Sequence, residues 1–359
     1  MNGMKAFGAL KSCTGCLLLF MACSISMMQS AASPTPSATA QGTIYAASPA
    51  GPSGASAIFR LNSPSSLNGN VVPSATITGP LTLLDSPVIS LDASADRLFA
   101  FVKTDPIEGE ILVFDHASTR NGNIFPDRII AGRTTGIQGT GVFAVDGTRN
   151  LLYAGTRVTS NGVNILVFKN AAAATGNVPP DAVLQFSTSP TFPVSMVLDQ
   201  VNDRLFIGDR SQDIQVFDHA SMLTSGPMVP DRTISDPNNI LSGGMALDSA
   251  GRLLVSSRKG TNPAHISIYA NAATANGVVS PVAIITGPAT ALNIGGPGAL
   301  AIFNGPGASA GGDLYVSVES GKVLVFTNIA TANGDMKPAR TICISTQASG
   351  LSLAADGSH

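Results

Sequence analysis

LVFDHASTRNGNIFPDRIIAG, residues 112–132, decides the fold, because the chain repeats this stretch six times with drift. Every copy carries an aromatic residue, a glycine, a proline and a closing aliphatic residue in that order. The aromatic residues are Phe59, Phe114, Phe168, Phe217, Tyr269 and Phe326, and the glycines are Gly69, Gly122, Gly176, Gly226, Gly277 and Gly334. The prolines are Pro73, Pro126, Pro180, Pro230, Pro281 and Pro338, and the aliphatic residues are Ile77, Ile130, Leu184, Ile234, Ile285 and Ile342. A period of about 50 residues is typical of repeat proteins, so the copies predict one repeat architecture rather than independent domains.

The composition argues against nucleic-acid binding and against a helical core. Charged residues make up 12% of the chain, the net charge is −2, and Lys and Arg are scattered. A protein that neutralises phosphates needs a concentrated basic face. The 37 glycines and 23 prolines suit many short strands joined by tight turns. We therefore expect an all-β protein without a nucleic-acid partner.

Each period contains four short apolar segments with the residue types of β-strands. In the second copy these segments are Val88–Leu91, Leu98–Val102, Ile111–Phe114 and Arg128–Ala131. They are rich in β-branched and aromatic residues and are bounded by Gly, Pro, Asp and Asn, which indicates strands. The second segment recurs at Ile44–Ala46, Leu151–Ala154, Leu205–Ile207, Leu253–Val255 and Leu314–Val316.

Four strands per period, repeated six times, predict a six-bladed β-propeller with four short antiparallel strands per blade. The first copy lacks its first strand, because it begins directly with the second strand at Thr43–Ala46. The segment Gly350–Asp356 at the end of the chain matches the missing strand. Pairing this C-terminal strand with the N-terminal blade closes the ring and removes the exposed sheet edges. We predict that the propeller spans residues 43–359.

The N-terminus has the pattern of an export signal. Lys5 and Lys11 precede the apolar run Cys16–Ala22, which is far shorter than the roughly 20 residues that a membrane-spanning helix needs. Residues 1–32 are therefore predicted to be a signal peptide. The sequence Phe20–Cys23 resembles a bacterial lipobox, which implies cleavage before Cys23 and lipidation of Cys23. Ordinary cleavage around Ser30–Ala32 without an anchor is the alternative.

The segment between the signal and the first strand predicts a flexible linker over residues 33–42. Its sequence, SPTPSATAQG, is small and polar and contains two prolines, so it lacks the apolar surface that folding requires. Three of the four cysteines lie in the signal region, and only Cys343 follows it. The predicted propeller therefore has no intrachain disulfide and no cysteine metal cluster.

Four aspartates follow the first strands of successive copies: Asp92, Asp146, Asp199 and Asp248. First strands line the channel of a propeller, so these carboxylates are candidates for a ring at one mouth that binds a hard cation such as Ca²⁺. The alternative is that each carboxylate caps its own tight turn through bonds to backbone amides. Asn304 and Ala354 take the equivalent places in the remaining two copies on this alignment.

Two histidines and several acid–arginine neighbours also recur. His116 and His219 align with Asn170, Asn271 and Asn328, so we interpret them as side-chain caps of a short helical turn rather than as metal ligands or catalytic residues. Asp96–Arg97, Asp127–Arg128, Asp203–Arg204 and Asp231–Arg232 are interpreted as exposed ion pairs between chain neighbours, and such pairs stabilise little.

Two motifs carry a resemblance to a known family. They are the L-D-x-x-x-D-R-L turns of Leu91–Leu98 and Leu198–Leu205, and the aromatic-x-N-A-x-x-A-N-G segment of Tyr269–Gly277. On these motifs the chain resembles bacterial secreted β-propellers with NHL-like or YVTN-like repeats, over residues Thr43–Asp356. The resemblance implies a binding platform whose partners differ from one member to the next.

We therefore expect an exported, monomeric β-propeller of the bacterial cell envelope, either a periplasmic or outer-membrane lipoprotein or a secreted protein. It is expected to bind a protein or a small ligand at a channel mouth, without catalysis and without a cofactor, and to contact a membrane only through the lipid anchor. One alternative is a metal-dependent enzyme, a lactonase-like hydrolase or a lyase, that uses the channel-mouth aspartates. The other alternative is a structural scaffold of the envelope.

Overall fold

The protein is built from six β-sheets that follow one another along the chain, as expected for six blades. The computed structural model describes residues 42–51, 54–103, 108–158, 162–186, 193–209, 213–237, 241–257, 263–292, 297–318, 321–344 and 351–356. The sheets have four or five strands; four strands of each sheet are antiparallel, and the fifth, where present, pairs parallel with the outer strand. These sheets confirm the six-bladed β-propeller.

Successive stretches of the chain supply the strands of successive blades. Blade 1 contains β1 (Thr43–Ser48), β2 (Ala57–Asn62) and β4 (Ala75–Thr78), and the short β3 (Gly69–Asn70) between β2 and β4 joins the sheet of blade 6. Blade 2 contains β5 (Val88–Asp92), β6 (Arg97–Lys103), β7 (Gly109–Asp115) and β8 (Arg128–Ile130). Blade 3 contains β9 (Gly139–Asp146), β10 (Leu151–Val158), β11 (Gly162–Lys169) and β12 (Ala182–Phe186). Blade 4 contains β13 (Pro193–Asp199), β14 (Arg204–Asp209), β15 (Asp213–Asp218) and β17 (Arg232–Ser235), and the short β16 (Gly226–Met228) between β15 and β17 joins the sheet of blade 3. Blade 5 contains β18 (Leu241–Leu247), β19 (Leu253–Ser257), β20 (His265–Tyr269) and β22 (Ala283–Thr286), and the short β21 (Gly277–Val278) between β20 and β22 joins the sheet of blade 4. Blade 6 contains β23 (Pro297–Phe303), β24 (Asp313–Val318), β25 (Lys322–Phe326) and β26 (Arg340–Cys343), and β27 (Ser352–Ala355) is the last strand.

Short 3-10 turns connect many of these strands. They lie at Pro64–Ser66, Pro80–Thr82, Ala93–Ala95, Ala117–Thr119, Arg133–Thr135, Ala220–Met222, Pro288–Thr290 and Ile329–Thr331. Among the described residues no helix is long and apolar enough to cross a lipid bilayer.

The two ends of the propeller meet in blade 1. Strand β27 pairs antiparallel with β1, with Ile44 opposite Ala355 and Ala47 opposite Ser352. Blade 1 therefore runs β27, β1, β2 and β4 from its inner to its outer edge. This pairing confirms the predicted closure, in which the last strand of the chain supplies the first strand of the first blade.

The hydrophobic core is divided into six clusters, and each cluster is shared by two neighbouring blades. Leu98, Phe114 and Ile58 belong to the cluster between blades 1 and 2. Phe303 and Ile44 belong to the cluster between blades 6 and 1. Because each blade buries both faces against its neighbours, the second and third strands are apolar almost throughout, as the short continuous runs in the sequence predict.

The repeated glycine joins each blade to the blade before it. Each glycine lies parallel to the outer strand of the preceding blade, opposite the repeated aliphatic residue. The six pairs are Ile77 with Gly122, Ile130 with Gly176, Leu184 with Gly226, Ile234 with Gly277, Ile285 with Gly334, and Ile342 with Gly69. At the first junction the Gly122 amide donates to the Thr76 carbonyl at 2.7 Å, and the Thr78 amide donates to the Gly122 carbonyl at 3.2 Å. The repeated glycine and the repeated aliphatic residue are therefore partners across every blade boundary.

The residue before each glycine adds a further contact to this junction. We call the glycine pairing and this contact together the clamp. In five blades its side chain accepts a hydrogen bond from a backbone amide of the preceding outer strand; the bonds are Thr341 to Asn68, Thr76 to Asn121, Val183 to Ser225, Thr233 to Asn276, and Ile284 to Asn333. In blade 3 the Thr175 hydroxyl instead donates to the Ile129 carbonyl at 3.5 Å. The clamps occupy backbone groups at the outer edges of the sheets, which otherwise offer a template for pairing with another chain.

Two sequence alignments are corrected by the strand registers. Ile58 faces Ile77 in blade 1, as Ile111 faces Ile130 in blade 2, so Leu61 and not Phe59 is the equivalent of Phe114. The first-strand aspartate of blade 1 is Asp356 and not Ala354, because Ala355 pairs with Ile44 as Leu91 pairs with Leu98.

The predicted side-chain capping by the aligned histidines and asparagines is also corrected. His116, His219 and Asn328 begin their 3-10 turns without a side-chain capping bond. The aligned residues instead share a left-handed backbone conformation, with φ between 50° and 57° at Ser63, His116, Asn170, His219, Asn271 and Asn328. Asn and His tolerate this conformation better than most residues. The capping acceptor comes from elsewhere: the Asp96 carboxylate accepts from the Ser118 amide at 2.8 Å.

Candidate functional site

A cavity of about 540 Å³ runs along the centre of the ring. Its wall is formed by the first strands of all six blades, which are β27, β5, β9, β13, β18 and β23, and each of these is the inner edge of its sheet. The wall carries Val88, Leu91, Met196, Leu198 and Ala299, among other mainly small or apolar residues. The cavity also reaches Gln200, Val201, Asn202 and Ser249, which belong to first-to-second turns. We call this end of the cavity the mouth.

Seryl hydroxyls connect the inner strands of some neighbouring blades. The Ser352 hydroxyl accepts from the Ile89 amide at 3.0 Å, and the Ser195 hydroxyl accepts from the Met245 amide at 2.9 Å. Between blades 5 and 6 the backbones approach closely, and a Cβ on Gly243 would lie 2.5 Å from the Gly298 carbonyl oxygen. A side chain at this position would therefore force the two inner strands apart.

The four predicted aspartates all cap their own turns. Asp92 accepts from the Ala95 amide at 3.2 Å, and Asp146 accepts from the Arg149 amide at 2.9 Å. Asp199 accepts from the Asn202 amide at 3.0 Å, and Asp248 accepts from the Arg252 amide at 2.8 Å. These bonds confirm the turn-capping interpretation.

Each of these carboxylates also has an arginine beside it. The ion pairs are Asp92 with Arg97, Asp146 with Arg149, Asp199 with Arg204, and Asp248 with Arg252, with distances from 2.5 to 3.7 Å. Of the four aspartates, Asp199 and Asp248 line the cavity. Phe303 holds the equivalent place in blade 6, opposite Asp313, so Asn304 is not the counterpart. The aspartates therefore form a series of charge-balanced turns, and two of the four reach the mouth.

The predicted ion pairs between chain neighbours are wrong. Arg97 and Arg128 both bind Asp115, from a neighbouring strand on either side, at 2.6 Å each. Arg204 and Arg232 bind Asp218 in the same way in blade 4. Hydrogen bonds from Arg128 and Arg97 hold the pKa of Asp115 well below its usual range, and Arg232 and Arg204 do the same for the pKa of Asp218. In blade 6 the acid lies on the second strand, where the buried Asp313 binds Arg340 at 2.7 Å.

Other chemistry-bearing side chains do not converge. Across the part of the chain that the structure describes, no three His, Cys, Asp or Glu residues lie close enough together to hold a metal ion. His116 and His219 are exposed beside their 3-10 turns, and neither lines the cavity. Cys23, the signal peptide and residues 33–41 of the predicted linker lie outside the described residues. Cys343 lies at the end of β26, the fourth strand of blade 6.

Comparisons with known proteins add the fold alone. No family model matches the chain, and no curated protein matches its sequence. Among solved structures it is similar to the crystal structure of the Cps50 (Swd1) β-propeller domain of Myceliophteria thermophila. The sequence identity is 9%, the TM-score is 0.49, and the match covers 86% of this chain and 88% of that chain. A likeness at this level carries no argument about function, and the fold assignment rests on the six sheets themselves.

Proposed function

We propose that this protein is an exported, non-catalytic binding protein of the cell envelope that holds a small ligand in its central channel. The observation that carries the proposal is the cavity of about 540 Å³ whose wall is supplied by all six blades. This volume lies within the range of small-molecule sites, roughly 300–1,000 Å³. The wall combines apolar side chains with seryl hydroxyls and strand edges, and its two charged side chains lie at one end. Apolar linings that carry a small number of placed polar groups are usual for such sites.

The junctions between blades favour a preformed site. Six clamps join the outer strands, and hydroxyl–amide bonds join inner strands at the junctions of blades 1 with 2 and 4 with 5. A ligand that enters a rigid cavity avoids the free-energy cost of ordering the protein around it. This arrangement therefore supports binding more readily than a movement coupled to catalysis.

Thermal unfolding of residues 33–359 tests whether the channel binds a ligand. We suggest three probes that share one ring system and differ in charge: indole, tryptamine and indole-3-acetate. A ligand that binds only the folded form raises stability by RT ln(1 + [L]/Kd), about 2.7 kcal/mol at a hundredfold excess over Kd. At least one probe should raise Tm in the wild type and not in Ser90→Phe, since Ser90 lines the cavity. Ser280→Phe, on an exposed connection, is the matched control. If none of the three probes shifts Tm, the binding proposal fails and a structural scaffold becomes the better account.

The same measurement tests the metal-dependent enzyme. Unfolding is repeated with EDTA and then with Ca²⁺, Mg²⁺ or Zn²⁺. If the aspartates serve only their turns, Asp199→Ala should lower stability by about 1 kcal/mol, as for a lost cap, with no cation effect. A cation-dependent rise in Tm that Asp199→Ala abolishes would favour the hydrolase or lyase instead.

Export and lipidation are part of the proposal and need a separate test. They rest on the basic, apolar and small residues of positions 1–32 and on the lipobox-like Phe20–Cys23. In bacterial cells that produce the full chain, we expect the protein in the membrane fraction and labelled by a fatty acid. Cys23→Ala should abolish the label and release the protein from the membrane fraction. A wild-type protein that stays unlabelled in the cytoplasm would contradict both export and the lipid anchor.

A further inference from the structure

We infer that the channel selects an uncharged small ligand that lies along the inner strands. The inference rests on the proposed function for the place of binding and adds the chemical class of the ligand. It differs from the alternative suggested by the aligned aspartates in the sequence, which is a site for a cation.

The charge of the channel wall carries the first step. Among the described residues that line the cavity, only Asp199 and Asp248 carry a formal charge, and both lie at the mouth. Arg204 and Arg252 stand beside them, and the Asp248 side chain is 1% exposed. The inner part of the wall, over the same described residues, contains no lysine, arginine, histidine, aspartate or glutamate.

A charged ligand would therefore lose its hydration without gaining a charged partner. An isolated charge that leaves water for an apolar environment is strongly destabilised unless it is paired or hydrogen-bonded. A neutral molecule has the opposite balance, because the apolar side chains of the wall remove part of its surface from water and no charge has to be desolvated. The wall thus discriminates by charge, without a specific contact.

The dimensions of the channel carry the second step. A five-residue first strand such as Val88–Asp92 spans roughly 16 Å. The cavity follows these strands and continues to the turns at the mouth, with a volume of about 540 Å³. This volume suits a single small molecule.

The inner strands also offer a limited set of hydrogen bonds. Each first strand has a pairing partner on one side only, so its other edge faces the channel. The amides of Ile89 and Met245 are already bound to the hydroxyls of Ser352 and Ser195. Neutral hydroxyl, carbonyl or amide groups on a ligand can pair with the remaining edge groups, which is compatible with an uncharged ligand that is not a pure hydrocarbon.

The test uses two fluorescent probes that differ by one sulfonate. N-phenyl-1-naphthylamine is neutral, and 1-anilinonaphthalene-8-sulfonate adds an anion to the same rings. Residues 33–359 are titrated with each probe. We expect saturable binding of one equivalent of the neutral probe, with an affinity at least tenfold higher than that of the sulfonate. A cationic control, N,N,N-trimethyl-1-naphthylammonium, should also bind at least tenfold more weakly.

Variants locate the bound probe. Ser90→Phe should lower the affinity for the neutral probe at least tenfold, and Ser280→Phe should leave it unchanged. Val72, Phe125 and Val229 are exposed apolar residues outside the channel, and replacing all three with serine should have no effect. If Ser90→Phe does not fold, Ala299→Leu in the wall of blade 6 takes its place.

The outcomes separate the two proposals. Equal or tighter binding of either charged probe within the channel would overturn the ligand class and leave the binding function standing. Loss of binding in the triple serine variant, with Ser90→Phe unaffected, would overturn the channel as the site. If neither naphthylamine binds while tryptamine or indole-3-acetate does, the class is again wrong. If no probe of either kind binds, the proposed function fails as well.

Discussion

At the scale of single residues, the hydrogen bonding of buried polar groups determines which substitutions lower stability. Tyr153 and Tyr269 are both almost fully buried. The Tyr269 hydroxyl donates to Asp236 at 2.8 Å, whereas the Tyr153 hydroxyl has no hydrogen-bond partner among the described residues. Burial raises the pKa of Tyr153, and Asp203 and Asp146 add to the effect, so the phenol stays neutral.

This pair gives a matched prediction. Tyr153→Phe should leave stability unchanged or raise it by up to about 1 kcal/mol, because it removes a buried hydroxyl that makes no bond. Tyr269→Phe should lower stability by about 1–3 kcal/mol, because it leaves the buried Asp236 without one of its donors. Urea unfolding of both variants measures the difference. Equal losses in the two would show that the hydroxyls are equivalent and that Tyr153 is paired in solution.

Asp115 and Asp218 predict a dependence of stability on acid. Their pKa values are lowered in the folded protein by bonds to two arginines each. A lowered folded-state pKa adds stability above the unfolded value of about 3.9, and that stability is lost as the pH falls through the folded-state pKa. We expect the free energy of unfolding to decrease below about pH 4. Asp115→Asn with Asp218→Asn should be less stable at pH 7 and should lose less on acidification. Parallel pH profiles for variant and wild type would contradict this account.

At the scale of elements, the clamp explains why the repeat has its sequence. Asn121 holds the Thr76 amide of the preceding blade, and Gly122 follows at φ 80° in the left-handed region. Asparagine is suited to the bond and glycine to the backbone, so the dipeptide recurs for two different reasons. The exposed residues around it are free to vary from copy to copy.

The clamp predicts a local effect on an outer strand. Asn121→Ala should speed hydrogen exchange at the Thr76 amide and lower global stability by about 1 kcal/mol, because one backbone amide loses its acceptor. Lys337→Ala, at an exposed position of a similar connection in blade 6, is the control and should change neither. Unaltered exchange at Thr76 in Asn121→Ala would show that the clamp is not formed in solution.

The sequence predicts the elements well and their contacts less well. The strand positions and the closure by residues 350–356 follow from local patterns of apolar residues and turns, and the structure confirms them. The partner of five of the repeated glycines lies in the previous copy, and the partner of Gly69 lies in the last copy. A periodic pattern does not show which of the recurring residues meet. The same limit explains why the sequence pairs Arg97 with its neighbour Asp96 and not with Asp115. The channel wall escapes sequence reasoning because its signal is an absence of charge in six short strands, whereas the aspartates beside it attract attention.

At the scale of the whole molecule, the ring depends on contacts between every pair of neighbouring blades. Six clusters, six clamps and one shared blade connect the first and last parts of the propeller. The arginine at the start of the fourth strand occurs in blades 2, 4 and 6, as Arg128, Arg232 and Arg340, and alanine stands there in blades 1, 3 and 5. The ring is thus pseudo-sixfold in its backbone and closer to threefold in its ion pairs.

Closure predicts how the chain responds to being cut. Ending the chain after Gly350 removes β27 and should abolish a single cooperative unfolding transition, because blade 1 loses its inner strand and the ring its closing contact. A circular permutant that begins at Val88 and joins the original ends keeps every strand in a blade, and should unfold as cooperatively as the wild type. If the truncated chain unfolds like the wild type, β27 does not close the ring.

The central claim is that the channel is a binding site for an uncharged ligand. The most direct measurement is crystallographic: crystals of residues 33–359 are soaked in bromobenzene, and the bromine is located by its anomalous scattering. We predict a bromine site inside the channel, in contact with wall residues such as Met196 and Ala299. Bromine sites confined to the outer surface of the propeller would contradict the claim.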